Sequence, residues 1–231
     1  EEDHVRIQVM QPGLQLEEAY DLADKIDTLL DSQLHFAFDD RLGYLTQCPT
    51  NLGTGMRASL MMHLPALEAT GMIAELYKAV SKIGLVFRGL YGEGSKPKGA
   101  IYQLSNQITL GISELDALQN LASIAGQVIE QEKEAASRLD RPMLEDRIYR
   151  SLGVLQNARI LGTDEFMDCL SNVRLGASLG ILSNVSFESV NCLLCDMQPA
   201  NLVEQNKAAE EPSARDRFRA QQVRKAMEQA K

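Results

Sequence analysis

The sequence predicts an α+β segment over residues 1–139 followed by an all-helical segment over residues 140–231. Three observations carry this. Short strand-like pieces recur in the first part: Val5, Ile7 and Val9 alternate with His4, Arg6 and Gln8, and further pieces follow at Leu42–Thr46 and Leu85–Gly89. Apolar residues at helical spacing run between them, as in Leu16, Ala19, Leu22, Ala23, Ile26, Leu29 and Leu30. After Asp140-Arg141-Pro142 strand patterns stop and only helical periodicity remains.

Taken in order, Glu1–Met10 reads as a strand already under way, with Glu2 and Arg6, four apart, on one face of it, and Leu14–Gln33 as a helix with acidic residues on its polar side. His35–Phe38 is a short alternating piece, Asp39–Asp40 a turn, and Leu42–Thr46 the next strand. Pro65 opens a helix through Lys82, since its missing N–H costs little at a first turn, and Gly84 ends it. Leu85–Gly89 is a strand, and Ser95–Gly99 reads as a mobile loop. Ala100–Ser105 and Ile108–Leu110 read as a hairpin. Ser113 caps a long helix to Leu139, with Glu114 and Asp116 suiting its dipole. Helices then cover Met143–Ile160, Thr163–Leu175, Ser186–Met197 and Ala214–Ala230, with a linker at Gln205–Pro212. The chain does not start with Met and opens as though inside a strand, so a fragment of a longer protein is expected.

The composition narrows the function. A net charge of −9 argues against general nucleic-acid binding. No apolar run approaches the ~20 residues that span a bilayer. Four cysteines without disulfide-scaffold spacing predict a reducing, cytoplasmic setting. Cys192-Leu-Leu-Cys195 has C-x-x-C spacing, but its apolar helical neighbours and the lack of a second ligand pair predict core packing, as for Cys169. His35 and His63 read as structural.

The chemistry-bearing stretch is Gly43–Pro65. A lone thiol, Cys48, precedes Asn51-Leu-Gly-Thr-Gly55, whose glycines permit a tight turn and a close approach of backbone to ligand. The turn delivers Arg57 and Ser59. Arginines recur beside strand ends at Arg6 and Arg88, with Glu2 and Glu93 near them. A polyphosphate needs several converging guanidinium groups; the plainer reading is surface ion pairs of small value. Glycine-rich nucleotide motifs are absent, so a nucleotide site here is built from arginines. The last helix is net positive, and Arg215-Asp216-x-x-Arg219 puts two guanidinium groups one turn apart beside a carboxylate.

Together, Glu1-Glu-Asp-His-x-Arg6, Cys48-Pro-Thr-Asn-Leu-Gly-Thr-Gly-x-Arg57-Ala-Ser and Arg88-Gly-x-x-Gly-Glu93 resemble the catalytic half of the phosphagen (ATP:guanidino) kinases over residues 1–139. The remainder, with Arg215-Asp-Arg-Phe-Arg-Ala220, is similar to the bacterial protein-arginine-kinase branch. The resemblance implies an antiparallel sheet flanked by helices, truncated at its N-terminus. It also implies transfer of the γ-phosphoryl group of ATP, with Mg2+ held mainly through the nucleotide, to arginine side chains of proteins. Arg6, Arg57 and Arg88 would clamp phosphates. Arg57, Ala58, Ser59, Leu60 and Met61 would line the nucleotide site, with Arg88, Gly89, Leu90, Tyr91, Gly92 and Glu93. Glu2 would align the guanidinium and take its proton, Glu93 would be the second carboxylate, and Cys48 would lie against the guanidinium with Thr50 beside it. Arg215, Asp216, Arg219 and Ala220 would dock phosphoarginine. Implied partners are proteins with exposed arginine, a Clp protease system, an activator protein and a second copy in a homodimer, within a stress response. No nucleic acid or membrane is implied.

Two departures favour the protein-kinase branch over metabolite kinases: Tyr91 stands where the latter have arginine, and Met61 where they have histidine. The family's upstream S-x-R-x-R motif and the Asn before Glu1 are absent, so little activity is expected from these residues alone. Two other readings stay open: a phosphoarginine-binding adaptor acting through residues 140–231, and a metabolite arginine kinase with an unusual tail.

Overall fold

The computed structural model describes residues 3–89 and 97–228. Helices and small antiparallel sheets share the first part, and helices make up the last, an α+β arrangement. The chain forms two compact units. One takes in the described residues of Glu1–Met62, Gly71–Ser95 and Tyr102–Lys133; the other takes in those of His63–Thr70, Lys96–Ile101 and Glu134–Lys231.

In the first unit, residues 3–15 form no strand, against the alternation of Val5, Ile7 and Val9. Alternation alone does not make a strand; a neighbouring strand must take up the backbone hydrogen bonds. The segment is tied instead by the Asp3 carboxylate, which accepts from the Gln47 N–H at 3.1 Å. Helix α1, Leu16–Asp31, follows, shorter than expected and with no fully buried residue. Strands β1, Phe38–Asp39, and β2, Gly43–Tyr44, close a small hairpin. The Asp39 carboxylate caps its turn, accepting from the N–H groups of Arg41 and Leu42. Tyr44 packs edge-on against Phe36 and Phe38 and donates its hydroxyl to Asp27 of α1 at 2.7 Å. Burial, with Asp27 next, raises that hydroxyl's pKa, so it stays a donor.

The main sheet has the order β3-β5-β4, from β3 Ser59–His63, β4 Leu85–Gly89 and β5 Ile101–Asn106. β4 pairs antiparallel to β5, with Arg88 opposite Gln103 and Phe87 opposite Leu104. Leu85, Phe87, Tyr102, Leu104 and Met62 are buried on one face. Over that face lies α3, Ile73–Ser81, through buried Leu76 and Val80 and a Tyr77–Phe87 ring contact at 5.5 Å.

Two expectations fail here. The hairpin at residues 100–110 does not form: β5 pairs back to β4, and Ile108–Leu110 is not a strand. The helix from Pro65 to Lys82 is split into α2, Pro65–Ala69, and α3. Thr70 bonds its hydroxyl back to Ala66 O at 2.8 Å, and Gly71 takes φ +74, which ends the first turn pattern. Helix α4, Glu114–Ser137, keeps its cap: Ser113 Oγ accepts from the Asp116 N–H and donates to the Asp116 carboxylate.

The second unit holds α5 Arg141–Asn157, α6 Thr163–Ser178, α7 Phe187–Asp196, α8 Pro199–Gln205 and α9 Pro212–Glu228. The expected linker is structured. It covers the end of α8 and a 3-10 turn at Lys207–Glu210, capped by the Asn206 side chain, with Ala209 fully buried. Cys192 and Cys195 are exposed, not core. The buried stripe of α7 runs Val190, Leu193 and Met197, and the thiols stand off it. Cys169 is half-buried and His35 exposed.

His63 is held within this unit. Arg174 Nη1 donates to its Nδ1 at 2.9 Å, so Nε2 carries the proton and donates to Ser171 Oγ at 2.8 Å. Arg174 also stacks 5.4 Å over the Phe187 ring. Burial first, then the Arg174 charge, pushes the imidazole pKa from 6.5 down to about 3. An unfolded chain takes up that proton near pH 6.5, and the folded one does not until about pH 3. This group's contribution is therefore whole above pH 6.5 and is lost progressively as pH falls toward 3. Urea midpoints measured from pH 7 to pH 4 should fall, and His63→Gln should flatten that slope.

Candidate functional site

The stretch after Cys48 is fixed by a dense set of local bonds. Cys48 Sγ and Thr50 Oγ1 are 3.0 Å apart, and Thr46 Oγ1 donates to the Cys48 carbonyl at 2.8 Å. The Asn51 N–H donates to that same carbonyl. Gly53 exchanges both backbone bonds with Tyr44. Its φ is +110, and an added Cβ would stand 2.1 Å from Thr109 O. Thr109 clamps the turn: its hydroxyl is bonded at both Thr50 O, 3.0 Å, and Leu52 O, 2.8 Å, and its carbonyl accepts from the Thr54 N–H at 2.9 Å.

Asn106 completes the anchor. Its Oδ1 accepts from the Ala58 N–H at 2.8 Å, and its Nδ2 donates to Met56 O and Ile108 O, both at 3.1 Å. Arg57 therefore sits between two residues whose backbone is held, and its own side chain is exposed. Neither Asn106 nor Thr109 stood out in the sequence; a polar pair after a strand, followed by a glycine, carried no signal beyond an ordinary turn.

Register then decides which site candidates share a face. Asn106 N–H donates to Ala58 O at 3.3 Å and Leu64 N–H to Ala100 O at 2.9 Å, which sets β3 antiparallel to β5 with Met61 opposite Gln103. Gln103 is opposite Arg88. Met61, Gln103 and Arg88 thus form one row across the sheet, on the side away from Phe87 and Leu104. Ser59 lies on that side, and Arg57 falls in step with it. Leu60 points to the other side with Met62, and Ala58 is buried. Gly89, the last residue of β4, is buried as well. Ser105, on the Gln103 side, is fully buried, and its hydroxyl has no hydrogen-bond partner among the described residues.

Arg6 is exposed on the irregular segment that Asp3 ties to Gln47, one residue before Cys48. The strand expected to put Glu2 and Arg6 on one face is not present among the described residues of that segment, 3–15. Glu2, Leu90, Tyr91, Gly92 and Glu93 lie outside the described residues, as does part of the Ser95–Gly99 loop.

In the other unit the Arg215–Ala220 motif opens α9. Arg219 is fully buried. Its Nε donates to Met197 O at 3.0 Å, Nη1 to Leu161 O and Asp216 Oδ1 at 2.7 Å each, and Nη2 to Thr163 Oγ1 at 2.9 Å. A charge so deeply placed is tolerated because its donors are answered. Ala220 is buried as well. Of the expected four-residue docking set, Arg215 and Asp216, both half-buried, are thus the accessible part. Among the described residues Arg215 makes only long bonds, 3.4 Å, to Ala209 O and Glu210 O, and its buried Nε has no partner there.

Residues 1–135 match the family model described as ATP:guanido phosphotransferase, C-terminal catalytic domain. The chain belongs to the ATP:guanidino phosphotransferase family. Residues 141–231 match a second model, the protein-arginine kinase McsB C-terminal domain. The protein-arginine kinase of Brevibacillus brevis is 50% identical over 227 residues, covering 97% of this chain and 64% of the relative. That of Caldanaerobacter subterraneus subsp. tengcongensis is 48% identical over 226 residues, 96% of this chain and 67% of the relative. That of Bacillus subtilis is 48% identical over 227 residues, 97% and 62%. The chain thus spans about two thirds of the length of the curated relatives it matches. Among solved structures, the duplicated taurocyamine kinase of Schistosoma mansoni is 29% identical, at a TM-score of 0.46 over 62% of this chain and 22% of that one.

Three substitutions test the geometry. Gly53→Ala should destabilise by at least about 2 kcal/mol, since both its φ and its contact with Thr109 oppose a side chain. Arg219→Lys should cost about 2–4 kcal/mol in equilibrium unfolding, because an ammonium cannot answer three separated acceptor groups and the carboxylate. Arg215→Ala should cost under about 1 kcal/mol.

Proposed function

We propose that this chain carries the phosphoryl-transfer half of a protein-arginine kinase, which moves the γ-phosphoryl group of ATP to the guanidinium of arginine in other proteins. The observation that carries the reading is the row Met61–Gln103–Arg88, with Arg57 delivered in step with it by a backbone that Asn106 and Thr109 hold rigid. Catalysis of phosphoryl transfer is mostly positioning and charge stabilisation. Arginines on a fixed sheet face suit both, because the guanidinium fork matches phosphate oxygens and stays charged.

In this reading Arg6, Arg57 and Arg88 bind the phosphates, and Ser59, Met61, Gly89, Leu90, Tyr91 and Gly92 line the nucleotide, with the backbone of Ala58 and Leu60. Mg2+ comes with ATP and is held mainly by its oxygens. The acceptor guanidinium is protonated near neutral pH and is a poor nucleophile until a carboxylate removes a proton. Glu2 takes that role, with Glu93 as second carboxylate. The Asp3–Gln47 bond supports it, since it ties the residue after Glu2 to the residue before Cys48. The Cys48–Thr50 pair lies against the guanidinium and stabilises its charge. Arg215 and Asp216 dock phosphoarginine, phosphate to Arg215 and guanidinium to Asp216, while Arg219 and Ala220 support them from within. The setting is a cytoplasmic stress response in which marked proteins pass to a Clp protease, with an activator protein and a second copy as partners.

The test is transfer to a protein substrate and to free arginine, side by side, in the complete protein. Glu2→Ala should lower transfer about 10²–10⁴-fold and leave phosphoarginine binding unchanged. Arg215→Ala should weaken phosphoarginine binding. Preference for free arginine would favour a metabolite kinase, and full transfer by Glu2→Ala would refute the assigned base.

A further inference from the structure

Cys192 and Cys195 stand apart from everything above. Both are exposed on α7, while the stripe Val190, Leu193 and Met197 buries the helix's other side. Three residues apart on a helix, their Cβ atoms lie about 5–6 Å from each other on one surface. The helix under them is fixed: Met197 closes it, with its N–H donating to Leu193 O, and Asn201 Nδ2 donates to Cys195 O at 2.8 Å. The carbonyl of Met197 is itself held by buried Arg219. Two thiols are thus presented on a rigid turn rather than on a loop.

We propose that Cys192 and Cys195 form a two-sulfur site for a soft monovalent cation of the copper(I) class. Among the described residues, no set of three His, Cys, Asp or Glu side chains converges as metal ligands. Among the described residues that leaves no tetrahedral zinc site, because zinc asks for four donors. A soft ion that accepts two thiolates in line needs only the pair. With metal–sulfur bonds of about 2.3 Å, two sulfurs across such an ion lie about 4.5 Å apart, within reach of Cβ atoms at this spacing. Glu188, four residues before Cys192, and Asp196, beside Cys195, are exposed and add negative charge along the same helix. The step is a ligand exchange: each thiol gives up a proton to solvent, two sulfur–copper bonds form as the copper's bonds to its carrier ligand break and that ligand leaves, and no oxidation state changes. Binding therefore tightens as pH rises.

The full 231-residue chain, reduced and free of oxygen, should be titrated against copper(I) bound to bicinchoninate, whose colour reports the metal left behind. The chain is expected to withdraw one copper per molecule. Cys192→Ser and Cys195→Ser should each weaken retention about a hundredfold, while Cys48→Ser and Cys169→Ser leave it unchanged. Copper retained in full by Cys192→Ser would overturn the proposal. So would uptake lost only with Cys48→Ser, or one copper bridging two chains. Since both serine variants alter exposed positions, unchanged thermal melting of each separates lost ligands from lost fold.

Discussion

The approach of Gly53 to Thr109 is the constraint on which the candidate site depends. Without a side chain, the Gly53 backbone passes so near Thr109 O that the Thr54 N–H can reach that carbonyl and the Thr109 hydroxyl can bond within the turn. Asn106 then holds Met56 O and the Ala58 N–H on either side of Arg57. An arginine on an ordinary surface loop would lose much side-chain and backbone entropy on meeting a polyphosphate; here much of the backbone part is already lost in folding. The chemistry of the turn thus follows from one glycine and two polar residues some fifty positions later.

The helical unit solves a different problem with similar means. Arg219 reaches the end of α7, the residue before Gly162, the first residue of α6 and the Asp216 carboxylate. One guanidinium thereby joins three stretches far apart in the chain: residues 161–163, Met197 and the first turns of α9. Arg215 and Asp216 sit on the same first turns of α9, so their positions depend on this buried fork. The motif therefore divides into an inner residue that holds and an outer pair that is accessible.

Much of this was legible in the sequence. The bounds of β4, the cap at Ser113 and the helical character after residue 140 follow from local pattern, and local pattern decided them. The long Cys48–Ser59 motif pointed to the family through its residues alone. What failed depended on distant partners. Val5, Ile7 and Val9 alternate as a strand does, but no partner strand takes up the segment among the described residues. Ile108 and Leu110 look like a return strand, yet β5 finds β4 behind it. Arg219 looked like a ligand-facing charge because burial of arginine is rare without full partners, and three of its four acceptors lie well outside α9. The C-x-x-C pair read as core because its neighbours are apolar; the phase of the buried stripe on α7, which sequence spacing fixes only loosely, set it outside.

The central claim is that nucleotide phosphates meet the sheet face that carries Met61, Gln103 and Arg88, with Arg57 beside it. Amide and side-chain NMR shifts on addition of Mg-ATP test this most directly. The account predicts changes at Arg57, Ser59, Met61, Gln103 and Arg88, with little at Met62, Phe87 and Leu104 on the opposite face. Shifts confined to that opposite face, or to neither face of the sheet, would contradict it.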